Sequence, residues 1–231
     1  MYPRSLVLSF SYSFLIFICC VLFGCSSEKT SRLLEYRAAI TQLDILEKRY
    51  AVVTDPALTG YLSYLTQRLH TQTTLAKSYR VSLLKDRERF AYHLGSGIIV
   101  ISTGLVEQLD NEAQLAFLLA HEMAHYQLNH LSSEDHFSLS PEESMVEKEI
   151  EADTLALGIM ALAGYDPRVS VYALSRAYLG RDGKNAITHP SFDERISHIG
   201  EQIRSSGWKP PGVVQKREFV RFQRALRQRL S

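Results

Sequence analysis

Two histidines and a glutamate occur at the spacing of a hydrolytic metal site, in the segment His121-Glu122-Met123-Ala124-His125. Residues four positions apart share one face of a helix, so both imidazoles can reach the same ion. The carboxylate of Glu122 can take a proton from a water molecule there and act as a general base. The preceding run, Leu115–Ala120, is apolar on nearly every side, which predicts a helix at the centre of the fold. Burying these polar groups without a binding partner would be unfavourable, so the segment favours a zinc site.

A third ligand is expected from a second helix, because a hydrolytic zinc keeps three protein ligands and one open position. The segment Glu149-Ile150-Glu151-Ala152-Asp153 provides candidates. Glu149 and Asp153 are four residues apart on one helix face. Glu149 can therefore bind the metal while Asp153 hydrogen-bonds the far nitrogen of a ligand imidazole. Glu151 is the alternative ligand. The sequence predicts one Zn²⁺ per chain.

The N-terminal residues are typical of a secretion signal, with a short basic segment at 1–4 followed by an uncharged run at 5–24. Cys25 comes directly after this run. The arrangement resembles a bacterial lipoprotein signal, in which the cysteine is acylated and becomes the new N-terminus. The alternative is an uncleaved anchor helix, because the run approaches the roughly 20 residues that a membrane span needs. We expect a signal peptide at 1–24, the lipidated Cys25 with its tether at 25–31, and a single domain at 32–231.

The positions of the cysteines restrict the metal chemistry. All three, Cys19, Cys20 and Cys25, lie in this leader or directly after it. A processed chain would therefore have no thiol for a disulfide or for a metal. Any metal site in the domain must be built from histidines and carboxylates.

Composition and periodicity predict one α+β domain that is mostly helical. The chain has 231 residues and is 45% hydrophobic, which is sufficient for one sizeable core and excludes global disorder. Lys plus Arg number 26 and Asp plus Glu 25, so no charge excess favours nucleic acid as a partner. Apolar spacing and turn residues predict helices over 31–50, 56–71, 111–129, 143–163, 166–178, 191–205 and 215–230, and strands over 79–85, 89–94 and 98–102.

The last predicted helix has one basic and one apolar face. Six basic residues, from Lys216 to Arg229, accompany a single acid, Glu218. Apolar residues recur between them at helical spacing, beginning with Phe219. Two interpretations stay open: the apolar stripe packs on the core, or the helix contacts anionic lipid or a partner.

Four ordered motifs resemble those of the HtpX-like and CAAX-prenyl-protease-type zinc metallopeptidases, and especially of their lipid-anchored periplasmic members. The motifs are His121-Glu122-Met123-Ala124-His125 with His130, Glu149-Ile150-Glu151-Ala152-Asp153, Thr188-His189-Pro190, and Arg195-Ile196. One departure is Glu88-Arg89-Phe90-Ala91, where the family has Asn-Ala-Phe-Ala.

The resemblance implies a zincin-like domain with a small β-sheet whose edge strand flanks the active-site helix. It also implies roles for individual side chains. These are His121, His125 and Glu149 as zinc ligands, Glu122 as the catalytic base, Asp153 as a partner of a ligand, His189 as a reversible fourth ligand or transition-state contact, and Arg195 as a residue lining the site.

We expect from these observations a zinc endopeptidase of the bacterial envelope, anchored by lipid and facing the periplasm. Its substrates would be misfolded or stalled outer-membrane and periplasmic proteins, and a contact with the outer-membrane assembly machinery would fit. The strand Ile98–Ser102 is the predicted edge strand that pairs with extended substrate, through Ile98, Ile99, Val100 and Ile101. Two alternatives stay open: a non-proteolytic chaperone using the same cleft, and a zinc hydrolase of cell-wall peptides. His70, His93 and His198 have no ligand-like spacing.

Overall fold

A computed structural model describes residues 30–73, 78–130, 142–178, 192–209 and 212–230, without the side chains of 142–145 and 178. The predicted signal peptide, Cys25 and the Thr188-His189-Pro190 motif lie outside the described residues. The chain divides into two units, of which the first ends at Ala38 and the second begins at Ala39. In the first unit, residues 30–38 are helical and exposed. The described residues from Ala39 onward belong to the second.

The described residues form eight α-helices, one short 3-10 helix (Pro167–Val169) and four strands. The helices are α1 (30–49, shared between the two units), α2 (Pro56–His70), α3 (Thr103–Gln108), α4 (Glu112–Gln127), α5 (Glu142–Leu162), α6 (Ser170–Tyr178), α7 (Phe192–Ser205) and α8 (Arg217–Leu230). The strands are β1 (Ala51–Val52), β2 (Arg80–Lys85), β3 (Ala91–Gly95) and β4 (Ile98–Ser102). No described helix is both long enough and apolar enough to cross a bilayer.

Capping residues set the helix boundaries close to those predicted. Asp55 caps α2 by accepting hydrogen bonds from two backbone N–H groups, and Pro56 takes the first helical position. Asn111 caps α4 through a 3.0 Å hydrogen bond from the backbone N–H of Gln114. Gly164 follows α5 with a φ of 80°, a left-handed conformation that glycine adopts without strain. The prediction missed only short elements, the two-residue β1 and the six-residue α3.

The strands form one mixed sheet in the order β1-β2-β4-β3, with β2 parallel to β4 and the other pairs antiparallel. A tight turn at Ser96 and Gly97 folds β3 back on β4. Gly97 is required there because a Cβ atom would lie 2.4 Å from the carbonyl oxygen of Ser78. The edge strands are therefore β1 and β3.

The prediction that Ile98–Ser102 is the edge strand is wrong. This strand is β4, which pairs with β2 on one side and with β3 on the other. Its four apolar residues, Ile98, Ile99, Val100 and Ile101, are all buried. A strand that is apolar on both faces is typical of a sheet interior, where helices cover both sides. The edge strand beside the candidate site is β3.

Both faces of the sheet are covered. Ile99 and Ile101 join the larger core cluster, which contains α2, α4, α5 and α8. Ile98 and Val100 point to the other face, where they pack with Leu43 of α1. This alternation is the two-residue period of a strand. Helix α4 belongs to the larger cluster and therefore lies on the face of the sheet to which Ile99 and Ile101 point.

Candidate metal centre

Helix α4 is buried over nearly its whole length and carries the predicted site. All residues from Glu112 to His125 are buried. At the first position the fully buried carboxylate of Glu112 accepts hydrogen bonds from the hydroxyls of Tyr61 and Tyr165, at 2.7 and 2.6 Å. These bonds join the start of α4 to α2 and to the turn after α5. The helix that presents the site is therefore fixed at its N-terminus by side chains distant in sequence.

Three buried side chains bring their donor atoms together. The Nε2 atoms of His121 and His125 are 2.9 Å apart. The Glu149 carboxylate, supplied by α5, lies 3.3 Å from each of them. One donor atom from each residue lies within 4.8 Å of the other two. The three residues could hold one metal ion.

The chemistry of this donor set fits a divalent cation. The two Nε2 atoms face each other across 2.9 Å, and both are acceptors when each neutral ring carries its proton on Nδ1. Such a contact is favourable only with a proton or a cation between the rings. Two imidazoles with one carboxylate are donors that zinc accepts, and three protein ligands are the set found in hydrolytic zinc sites. The residues present therefore fit a zinc ion.

His121 is supported by a buried charged pair. Its Nδ1 lies 3.0 Å from Asp153 Oδ1, which leaves Nε2 to face the other two donors. The Arg195 guanidinium binds the same carboxylate through Nε and Nη2, at 2.7 and 2.6 Å, and reaches Glu149 Oε2 through Nη1 at 2.8 Å. Burial alone would raise the pKa of Asp153, but the Arg195 and His121 contacts lower it below its usual range. Arg195, predicted to line the site, thus holds two of its carboxylates.

His125 is supported by a second imidazole. Its Nδ1 lies 3.0 Å from His130 Nδ1, and His130 Nε2 lies 3.2 Å from Glu151 Oε2. If His125 keeps Nε2 free for a metal, its Nδ1 carries the proton and donates to His130. His130 then carries its own proton on Nε2 and donates it to Glu151. Glu151, the alternative ligand, is 62% exposed and lies outside the triad.

Comparison with known proteins agrees with this geometry. The family description Peptidase family M48 matches residues 56–140, and Peptidase U49 matches residues 111–209. Both matches contain His121 and His125, and the second also contains Glu149. The predicted site residues therefore lie within the parts of the chain that are similar to these two peptidase families.

The curated relatives that the chain resembles are longer than the chain. The β-barrel assembly-enhancing protease of Escherichia coli (strain K12) is 28% identical over 168 residues, which cover 70% of this chain and 32% of the relative. The protein of that name from Yersinia pestis is 22% identical, over 73% of this chain and 43% of the relative. The mitochondrial metalloendopeptidase OMA1 of Arabidopsis thaliana is 28% identical, over 54% of this chain and 31% of the relative. The chain thus spans less than half of each relative's length.

Glu122 lies next to the triad with its carboxylate oriented by the sheet. Its Oε2 accepts a 2.9 Å hydrogen bond from the backbone N–H of His93, on edge strand β3. Burial raises the pKa of Glu122 to about 7, and the charge on His121 opposes that rise. A carboxyl group with a pKa near neutral can both accept and release a proton at physiological pH.

The His93 side chain is a site residue that the sequence prediction missed. Its ring stacks on that of His125, with centroids 5.7 Å apart and planes 12° from parallel. Burial, together with the neighbouring imidazoles, lowers the pKa of His93 to about 3. No regular spacing connects it to the motif on α4, because the contact is made by packing of β3 against α4. The only sequence signal is a histidine in a strand otherwise made of apolar and aromatic residues.

The structure does not test His189, and two histidines without ligand-like spacing are not part of the triad. His189 lies outside the described residues, so its role as a fourth ligand stays a prediction. His70 contacts Thr73 and His198 contacts Thr154, and neither histidine belongs to the triad.

Proposed function

We propose that this protein is a zinc-dependent endopeptidase in which His121, His125 and Glu149 bind the metal and Glu122 is the catalytic base. The observation that supports this most strongly is that three buried donor atoms converge beside another buried carboxylate, that of Glu122. Asp153 would orient His121 and keep its proton on Nδ1. Arg195 would balance the charge of the two carboxylates it contacts, and could also face a transition state.

The metal and Glu122 would have different roles in peptide hydrolysis. When bound, zinc would polarise the scissile carbonyl and increase the acidity of water. Glu122 would take the proton from the attacking water at one carboxylate oxygen and pass it to the leaving amine. The backbone N–H of His93 would keep that carboxylate in one orientation during both transfers.

Extended substrate would pair with β3, since β4 is interior. Strand β3 is at the sheet edge and its residue His93 contacts both Glu122 and His125. Main-chain pairing with an edge strand aligns a peptide without reading its sequence, which suits a protease of unfolded chains. A peptide bond lying along β3 would be close to the triad.

The cellular setting is proposed from the sequence and the relatives together. Residues 1–24 would be a signal peptide, Cys25 would carry the lipid, and residues 25–31 would tether the domain to the outer membrane, facing the periplasm. Curated relatives are named as β-barrel assembly-enhancing proteases. We propose misfolded or stalled outer-membrane proteins as substrates, with the assembly machinery as a partner.

Cleavage of unfolded casein by the purified chain tests this function. Glu122→Gln should abolish cleavage but keep bound zinc, because Glu122 is not a ligand. Glu147→Gln, which alters an exposed glutamate on α5, is the matched control and should cleave normally. If Glu122→Gln cleaves like the parent chain, Glu122 is not the base. If the parent chain prevents aggregation of unfolded protein without cleaving it, the chaperone alternative is correct.

A further inference from the structure

Helix α8 has a basic face that the endopeptidase mechanism does not use. Arg217, Arg221, Arg224 and Arg227 follow one another at spacings of three and four residues, so they lie along one side of the helix. All four side chains are exposed. At 1.5 Å per residue, the row extends for about 15 Å.

The opposite face of α8 packs on the core. Phe219, Phe222 and Leu226 are buried, and Phe222 stacks on Tyr61 of α2 with ring centroids 4.5 Å apart. The first interpretation of the sequence, that the apolar stripe packs on the core, is therefore confirmed. Because this packing fixes the rotation of the helix, the arginine row is held outward rather than free to turn inward.

Neighbouring charges do not neutralise the row. Lys216 lies 3.4 Å from Glu112, and Arg229 pairs with Asp55 at 2.6 Å. Across the described ranges, none of the four arginines of the row makes a hydrogen bond or an ion pair. The helix beside it, α2, has no acidic residue and exposes Tyr64.

We infer that this arginine row binds the surface of an anionic phospholipid bilayer. A guanidinium binds a phosphate through two parallel hydrogen bonds, and lipid headgroups can move to match the spacing of a rigid row. Val220 is 41% exposed between the arginines, where an apolar side chain can enter the headgroup layer.

The inference rests on the proposed lipid anchor. If Cys25 carries the lipid, residues 26–29 separate it from α1, a distance below about 20 Å even when extended. The anchor would therefore hold the protein beside the bilayer at a high effective concentration. Each arginine near an anionic leaflet strengthens surface binding about fivefold, so four would strengthen it several hundredfold.

A fluorescent label on the arginine face tests the inference in the full chain. The purified protein is reconstituted into phosphatidylcholine vesicles with or without phosphatidylglycerol. Val220→Cys places the label in the row. Ile45→Cys is the matched control, because it places the label at an exposed position on α1, across the sheet from α8. The chain without an added cysteine gives the background from Cys19, Cys20 and Cys25, and acrylamide quenching measures the exposure of each label.

We expect protection of the Val220 label only in vesicles that contain phosphatidylglycerol, with loss of protection at high salt. The Ile45 label should be quenched equally in both vesicle types. Changing all four arginines to glutamine should remove the protection but leave thermal unfolding and casein cleavage unchanged, since these side chains form no hydrogen bond or ion pair within the described ranges.

Three results would overturn the inference: equal quenching at Val220 in both vesicle types, protection in neutral vesicles, or protection that survives the glutamine changes. Equal quenching would leave an acidic protein as the remaining partner for the row. Flotation of the vesicles separates this failure from failure of the anchor, because a protein without its lipid would not float. Casein cleavage in the same samples reports the proposed activity independently.

Discussion

His121 and His125 occupy the same face of α4 and touch each other, yet their surroundings are electrostatic opposites. On the His121 side, burial is outweighed by hydrogen bonds to Asp153 and Glu149, which raise its pKa to about 10. On the His125 side, burial and the charge on His121 lower the pKa to about 4. Both residues lie on one face of α4 and both contact Glu149, so the difference comes from their other neighbours. His121 lies beside Asp153, whereas His125 lies beside the imidazoles of His93 and His130.

The two supports also differ in where they end. The support of His121 ends at a fully buried pair, Asp153 and Arg195. The support of His125 passes through His130 and ends at an exposed carboxylate, that of Glu151. Removing either member of a buried ion pair strongly destabilises the fold, whereas water can replace an exposed carboxylate at little cost. The first support should therefore contribute to folding and metal binding, and the second mainly to the orientation of one ligand.

Asp153→Ala should have the largest effect. Removing the carboxylate leaves Arg195 buried without its main partner, which should lower the free energy of unfolding by about 3–5 kcal/mol. It should also weaken zinc binding about 10–100-fold, because His121 loses the acceptor for its Nδ1 proton. Urea unfolding and chelator competition measure the two effects. A variant as stable as the parent chain would show that the pair is not a structural support.

His93→Phe should change the response of the metal-free protein to acid. The pKa of His93 falls from 6.5 to about 3 on folding. Burying the neutral ring therefore costs no stability above pH 6.5, but the free energy of unfolding decreases as pH falls from 6.5 toward 3. The loss approaches about 1.4 kcal/mol per pH unit. Phenylalanine cannot take up a proton. Between pH 7 and pH 4.5, the free energy of unfolding of the variant should therefore rise by about 2–3 kcal/mol relative to that of the parent chain.

Urea unfolding at a series of pH values, with chelator present, measures this difference. Groups other than His93 titrate in both proteins, so the comparison at each pH isolates the one side chain. A difference in stability that stays constant from pH 7.5 to pH 4.5 would contradict the account of a buried neutral ring.

His130 should matter for metal binding more than for folding. His130→Ala removes the acceptor for the Nδ1 proton of His125 and should weaken zinc binding about 10–100-fold. His130→Asn is the matched variant, because its amide oxygen can take the position of Nδ1 and should restore much of the affinity. The visible spectrum of the Co²⁺-substituted protein should change with alanine and less with asparagine. Equal affinity in all three proteins would show that His130 does not orient the ligand.

Glu151→Gln should have the smallest effect. The carboxylate is 62% exposed, so its contact with His130 is screened by solvent and contributes at most about 1 kcal/mol. Zinc affinity should therefore fall by less than about fivefold, and by less at high salt. A loss of bound zinc would instead make Glu151 the third ligand and would reverse the assignment of Glu149.

The sequence predicts well what depends on residues close together along the chain. The two histidines of α4, the caps at Asp55 and Asn111, and the turn at Gly164 are local features, and the structure has them where predicted. The pairing of Glu149 with Asp153 on one face of α5 is equally local. Helical geometry alone brings each of these sets together.

Contacts between distant segments were harder to predict. The position of β4 inside the sheet depends on pairing with two other strands, although its apolarity on both faces was a signal for it. The contact of His93 with His125 depends on the packing of β3 on α4. The ion pairs of Arg195 join α7 to α5 and have no sequence period. Such features follow from the assembled core rather than from any one segment.

Zinc content of the purified chain tests the central assignment most directly. We expect one zinc per parent chain, and little or none after His125→Ala or Glu149→Ala, while Glu147→Gln should retain the full amount. A parent chain that binds no zinc, or a Glu149→Ala chain that still binds one, would contradict the proposal that these two helices hold the metal.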